Sequence, residues 1–298
     1  MSEKVTPAAT SQPLAPGLYL VATPIGNLED MTLRGLRVLA SVDRVACEDT
    51  RQTAKLLTHF GISTPTVSYH DHNELSRATQ LLEQLKQGAR IAVVSDAGTP
   101  GIADPGAVLA ADCIAAGVPV IPIPGANAAI NALIASGLSA EHFAFHGFLP
   151  AKEGQRRTEL EALQQAMKAA SEATTQIFYE APHRIVGTLE DIVQVFGSEH
   201  PVALARELTK LHEEFLRGTA AELLAELQQR PNVRGEMVLL LSGKLSAASS
   251  ATRSLAEEVR TLMGTGLSEK DALKQAAKAR GLGKSEAYRE WQRTQARR

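Results

Sequence analysis

Residues 90–106 read RIAVVSDAGTPGIADPG, an apolar β-type run that breaks at Ser95 into a turn carrying three glycines and two prolines within twelve residues. The run Arg90–Ser95 has the length and branched residues of a buried strand. A plain connection does not need so many conformationally special residues. Their small side chains leave backbone donors and acceptors open to a ligand. In an open parallel sheet ligands bind beyond the carboxyl ends of the strands, so this stretch reads as a strand followed by a binding loop. Asp96 at the strand tip suits pairing with a cation or a ligand hydroxyl, and equally suits capping the next helix.

Outward from this stretch the same grammar repeats. Upstream lie a β-type run at Gly17–Pro24, a helix over Thr32–Ala40 with Leu33, Leu36 and Leu39 in register, a short strand at Arg44–Cys47 and a helix over Leu75–Gln87. Downstream follow a helix over Ala107–Ala116 and a strand at Val118–Ile123. Alternating βαβ units imply a mostly parallel sheet with helices on its faces. A second series has strands at 143–148, 176–180, 201–207 and 237–241, with helices near 156–170, 183–195 and 219–229. The fold class is therefore α/β: two successive α/β domains, 17–125 and 126–245, joined near Gly125 with a cleft between them. Residues 1–16, rich in Ser, Thr, Ala and Pro, read as a disordered tail rather than a signal peptide. Ser246–Ser250 reads as a linker to a small helical extension, 251–298. There Leu255, Val259, Leu262 and Met263 mark one helix. Ser268 with Asp271 caps a second helix ended by Gly281, and Ser285 opens a third with Ala287, Tyr288 and Trp291. The arrangement is helix-turn-helix-like, with simple packing or dimerisation as the alternative.

Composition bounds the function. At 298 residues and 44% hydrophobic, the chain can build two cores. Its apolar runs are strand-length, far from the roughly twenty residues of a membrane span. Two cysteines, Cys47 and Cys113, without CxxC spacing argue against a disulfide scaffold or a zinc site and for a reducing, cytoplasmic setting. The net charge of −2 hides an asymmetry: Arg253–Arg298 carries eleven Lys/Arg against six Asp/Glu, whereas the rest carries twenty against twenty-seven. A basic appendage on an acidic body suits a phosphate-rich partner.

Three further strand-end loops stand out. Thr23-Pro24-Ile25-Gly26-Asn27 forces a tight turn but lacks the GxGxxG dinucleotide fingerprint. Pro122–Ala129 (PIPGANAA) runs into an Ala-rich helix at the domain junction. Phe178–Arg184 (FYEAPHR) ends a strand with a carboxylate, an imidazole and a guanidinium.

The order TPIGN, VVSDAGTPGIADPG, PIPGANAAINAL, FYEAPHR, ARELTKLHEE and GEMVLLLSG resembles the tetrapyrrole (corrin/porphyrin) methylase superfamily over about Gly17–Gly243. It is most similar to its ribosomal RNA small-subunit methyltransferase branch, which modifies the 2'-oxygen of a decoding-site cytidine. The C-terminal helices resemble that branch's extension. The resemblance implies S-adenosylmethionine in the cleft. Pro24 would line one wall, Ser95, Asp96, Ala97, Gly98 and Thr99 another, and Asn127 and Ala128 the adenosine side, with contacts from Glu180 and from Gly218 in the FLRGT turn. It also implies a homodimer. Tetrapyrrole members carry GxGPG-like and GDP-type loops where this chain has PIGN and SDAGTP, which changes the expected atomic contacts.

Methyl transfer is an in-line displacement, so holding donor and acceptor aligned is the main task, and a ribose hydroxyl gains from a positioned base. Glu48-Asp49-Thr50-Arg51 supplies candidates: Asp49 or Glu48 to assist the hydroxyl and Arg51 to hold a phosphate, against a simple Asp–Arg ion pair. Lys152, Arg156, Arg157 and Arg184 are candidates to grip RNA backbone. His70-Asp71-His72-Asn73-Glu74 has metal-ligand types but no matching third cluster, and reads as a polar loop. Two competing readings are a small-molecule methyltransferase, which needs neither the basic tail nor the EDTR cluster, and a non-enzymatic nucleic-acid-binding protein.

Overall fold

A computed structural model describes residues 13–70 and 74–244 and, in the C-terminal part, 259, 263, 268–279, 287, 288 and 291. The N-terminal unit contains β1 (Gly17–Val21), α1 (Leu33–Ser41), β2 (Arg44–Cys47), α2 (Thr50–His59), β3 (Thr66–Ser68), α3 (Glu74–Lys86), β4 (Arg90–Val94), α4 (Ala107–Ala115) and β5 (Val120–Ile123). Its sheet has the order β3-β2-β4-β1-β5 with every pairing parallel. Both faces are covered, so the strands are apolar throughout. Along β1 the side chains alternate: Tyr19 and Val21 pack with Leu36, Leu39 and Val45, whereas Leu18 packs with Leu81, Ile91 and Leu109 on the other face. Thr32 starts α1 by accepting the Gly35 N–H at 3.0 Å. Helix α2, hidden in the sequence behind its polar EDTR opening, starts at an Asp49 cap.

The second unit runs α5 (Ala128–Ser136), β6 (Phe143–Phe148), α6 (Glu153–Ala169), β7 (Thr175–Glu180), α7 (Ile185–Phe196), β8 (Pro201–Arg206), β9 (Glu214–Thr219), α8 (Ala220–Gln228) and β10 (Met237–Leu241). Its strand order is β6-β7-β10-β8-β9. Here the mostly parallel expectation is corrected: β6 and β7 are parallel, but β7-β10, β10-β8 and β8-β9 are antiparallel. The 207–213 connection carries no helix, and without a crossover helix β8 and β9 form an antiparallel pair. FLRGT is accordingly part of strand β9 rather than a turn. Helices α6, α7 and α8 cover one face around Phe178, Leu189, Leu223 and Leu239. Helix α5 covers the other, its Ala129, Ala132 and Leu133 packing on Ile177, Ala203, Val238 and Leu240; Ile25 of the first unit enters this cluster. The two units thus share an apolar contact through Ile25.

In the C-terminal part, α9 (Glu269–Ala279) starts at Ser268, whose Oγ accepts the Asp271 N–H at 3.2 Å. Ala272, Ala276 and Ala277 pack with Val259, Ala287 and Trp291, and the indole N–H donates to Glu269 at 3.0 Å. Most of the 1–16 tail, the 246–250 linker, the Asp71–Asn73 part of the HxH segment and most of the two flanking C-terminal helices lie outside the described residues.

Candidate cofactor cleft

The strand-end loops of the N-terminal unit are fastened together before they meet any ligand. Thr23 N–H donates to Gly98 O at 2.9 Å, and Gly98 N–H returns the bond to Thr23 O at 3.0 Å. The Thr23 hydroxyl donates to Ser95 O, and the Ser95 hydroxyl to Gly98 O, both at 3.1 Å. Gly98 has φ +89°, and an added Cβ would sit 3.2 Å from Ile25 Cγ2, so both conformation and space select glycine. The Thr99 hydroxyl donates to Ala126 O at 3.0 Å, and Asn127 caps α5 by accepting the Ile130 N–H at 3.1 Å. The loops after β1, β4 and β5 therefore form one wall.

That wall faces the second sheet across a cavity of about 370 Å³, within the range of small-molecule sites. Ala97, Gly98, Thr99, Asn127, Ala128 and Glu180 line it; the expected contacts from Pro24, Ser95 and Asp96 are corrected, for these three are not among the lining residues. Ser95 is buried and ties the loop, whereas Asp96 is exposed and accepts the Asp49 N–H at 3.2 Å. Gly218 is a correction. It pairs with Val202 near the start of β8, while the cavity touches β8 at Ala205, toward its other end.

Glu180 is in the lining, as expected, but its carboxylate points away from the cavity's contents. The carboxylate is fully buried, accepting the Ala181 N–H at 2.8 Å and the Thr188 hydroxyl at 2.7 Å and pairing with Arg184 at 3.1 Å. It fixes the β7–α7 turn. The same economy of burial removes most of the expected RNA contacts. Arg156 is buried against Asp191 at 2.7 Å, Arg157 reaches the same carboxylate at 2.9 Å, and Arg184 donates to the Leu149 and Pro150 carbonyls. Asp191 is 1% exposed, and a buried carboxylate needs such partners. Lys152 alone of the four is freely exposed.

Asp49 and Arg51 form a two-point ion pair, with bonds of 3.1 and 2.8 Å, next to the glycine-rich loop. The guanidinium and the Arg51 backbone N–H hold the Asp49 carboxyl down at about 2. A carboxylate that acidic is a poor proton acceptor near neutrality, which removes Asp49 as a strong base. Arg51 is 86% exposed in its side chain and reachable by a phosphate. Glu48 is partly buried beside them. Cys47 and Cys113 are free, buried thiols raised by desolvation, Cys113 to about 11. Among the described residues no His/Cys/Asp/Glu group is arranged for a metal.

The sequence reading missed Asp104, Phe148, Tyr179, Leu208, Glu236 and Met237 in the cavity wall. The last two lie just before and at the start of β10, which runs antiparallel to β7 and so presents its amino end to the cleft; a rule that inspects only carboxyl ends passes over them. Burial raises the Tyr179 phenol, against a hydrogen bond with the Ala129 backbone. Among the described residues the non-glycine positions with left-handed φ are Ala103, Glu207 and Thr209, which lie in or flank this wall. Strain of this kind persists where surrounding structure over-determines it.

Comparison with known proteins defines the class. Residues 17–224 match the family described as Tetrapyrrole (Corrin/Porphyrin) Methylases. The chain belongs to this family, whose methyl donor is S-adenosylmethionine. More particularly, it is similar to the ribosomal RNA small subunit methyltransferase I of Synechocystis sp., 48% identical over 91% of this chain and 95% of that one, and to that of Bacillus subtilis, 45% identical over 91% and 92%. Two solved structures share the fold: diphthine synthase, with TM-score 0.58 and 14% identity over 77% of this chain and 91% of that one, and a cobalt precorrin-4 methyltransferase of cobalamin biosynthesis, with TM-score 0.53 and 16% identity over 75% and 93%.

The cavity fits the donor. Ile25, Ala128, Ala205, Leu208 and Val238 give apolar walls, Gly98 allows close backbone approach, and of the two acidic residues in the lining besides Glu180, Glu236 is paired with Lys210 at 3.1 Å.

Proposed function

We propose that the chain is a cytoplasmic methyltransferase that 2'-O-methylates the ribose of a cytidine in the decoding region of small-subunit ribosomal RNA. The observation that carries this reading is the 370 Å³ cavity between the two sheets, walled on one side by backbone and small residues. The names of the relatives support ribosomal RNA as acceptor, and the basic balance of Arg253–Arg298 suits a polyanion.

S-adenosylmethionine supplies an electrophilic methyl group when bound. The chain's part is alignment: the Thr23–Gly98 bridge, Thr99 and Asn127 hold the donor wall rigid, so that binding and not loop ordering sets the geometry. Arg51 and Lys152, both exposed, hold phosphates flanking the target ribose. Asp49 fixes the Arg51 fork and the start of α2. The acceptor proton leaves without Asp49 as a strong base.

The test is transfer of labelled methyl from S-adenosylmethionine to small ribosomal subunits isolated from a strain lacking the protein, followed by digestion to nucleosides. Label on cytidine 2'-O is expected. Label on a base, or none with the donor bound, overturns the acceptor assignment. The homodimer implied by the resemblance is tested separately by sedimentation at micromolar concentration: a dimer mass is expected, and a monomer rejects it.

A further inference from the structure

Strand β6 contains an irregularity placed at the cleft. Phe145 pairs with Ile177, but Phe148, not Gly147, stands opposite Tyr179, so β6 carries one extra residue against β7. Gly147 sits at φ +69°, and a Cβ there would meet nothing within 4 Å. The glycine is thus required by backbone conformation and not by crowding, as in a bulge that re-aims a side chain. In a regular strand Phe148 would share a face with His146, which stacks on Phe178 on the opposite side of the sheet. The bulge instead puts Phe148 on the face of Phe145, and both rings meet Tyr179 edge-on, at 5.6 and 4.9 Å.

The result is a large aromatic ring that lines the cavity yet remains 57% exposed. Among the large hydrophobic residues of the lining it is the one that is mostly exposed, so this ring offers an open face to the cavity. An exposed aromatic held by a second ring has the chemistry of a stacking platform for a flat heteroaromatic base. Lys152, four residues further on in the chain, is exposed and offers a positive charge for the adjoining phosphate.

Resting on the proposed acceptor, we propose that Phe148 is a specificity-determining residue on which the base of the target nucleotide stacks, with the Gly147 bulge and Tyr179 as its positioning elements. Its exposure favours the acceptor base over the donor's adenine, because the more enclosed apolar wall at Ile25, Ala128 and Leu208 is available to the donor.

The experiment compares wild type with Phe148→Ala and Phe148→Trp in methyl transfer to unmethylated small subunits, together with calorimetric binding of S-adenosylmethionine to each. For Phe148→Ala the expected result is a KM for subunits raised by about tenfold or more, unchanged donor affinity and unchanged thermal midpoint, with Phe148→Trp recovering most of the loss. A weakened donor affinity with unchanged subunit KM would assign the ring to adenine and overturn the proposal. So would an Ala variant with wild-type kinetics. Inactive wild-type protein that still binds the donor would instead refute the acceptor reading itself.

Discussion

The two walls of the cleft are made in opposite ways. The N-terminal unit meets the cavity with its strand-end loops: Ala97, Gly98 and Thr99 offer little side chain, Ile25, Ile102 and Asp104 add to them, and the loops are tied by main-chain and hydroxyl bonds. The C-terminal unit meets it with side chains, Phe148, Tyr179, Leu208, Glu236 and Met237, while its charged residues one layer behind are locked into buried pairs. The first wall can hold an invariant small molecule. The second can read a variable one.

The sharpest way to break this contrast is to attack the locked layer, which the account holds to be structural and not catalytic. Asp191→Ala leaves Arg156 buried without its partner and should cost about 3–5 kcal/mol in urea unfolding; a change under about 1 kcal/mol would show that Arg156 is free to work elsewhere. Next comes His200, buried at the start of β8 against Phe196. Burial, only partly offset by the Ser242 backbone, pulls it down to about 4. The folded state resists protonation while the unfolded chain accepts it near 6.5. His200's contribution is therefore complete above pH 6.5 and declines as pH falls toward 4, by up to about 3 kcal/mol. His200→Leu should flatten that part of the stability–pH curve, and an unchanged slope would refute the assignment. A smaller effect is expected for Thr188→Val, which strips one bond from the buried Glu180 carboxylate: about 1–3 kcal/mol of stability, with donor affinity kept in the folded fraction. If donor affinity falls instead, the Glu180 carboxylate belongs to the binding wall after all. Least affected in stability should be Arg51→Ala, whose thermal midpoint should stay at the wild-type value while the KM for subunits rises a few-fold; unchanged kinetics would remove Arg51 from the phosphate contacts.

The sequence made the N-terminal wall legible because backbone sites leave a compositional trace: glycine, proline and small residues crowd the strand ends at 23–27, 95–106 and 122–129. The second wall left no such trace. Whether Glu180, Arg156 or Arg184 faces solvent depends on Asp191 and Thr188 arriving from α7, which residue type alone does not reveal. Phe148 sits in a strand whose period-two pattern points it to the wrong face, and one residue of slip reverses it. Met237 and Glu236 were overlooked because an antiparallel β10 reverses which end of a strand meets the cleft. Gly218 was expected in the site on the family resemblance alone, and strand β9 holds it opposite Val202, away from the cavity.

The central claim, that the first wall's backbone forms the donor site, is tested most directly at Gly98. Calorimetric titration of S-adenosylmethionine should saturate the wild type and bind Gly98→Val, shown folded by circular dichroism, weaker by about tenfold or more, equivalent to about 1.4 kcal/mol. Equal affinity in the two proteins would contradict the account and place the donor elsewhere.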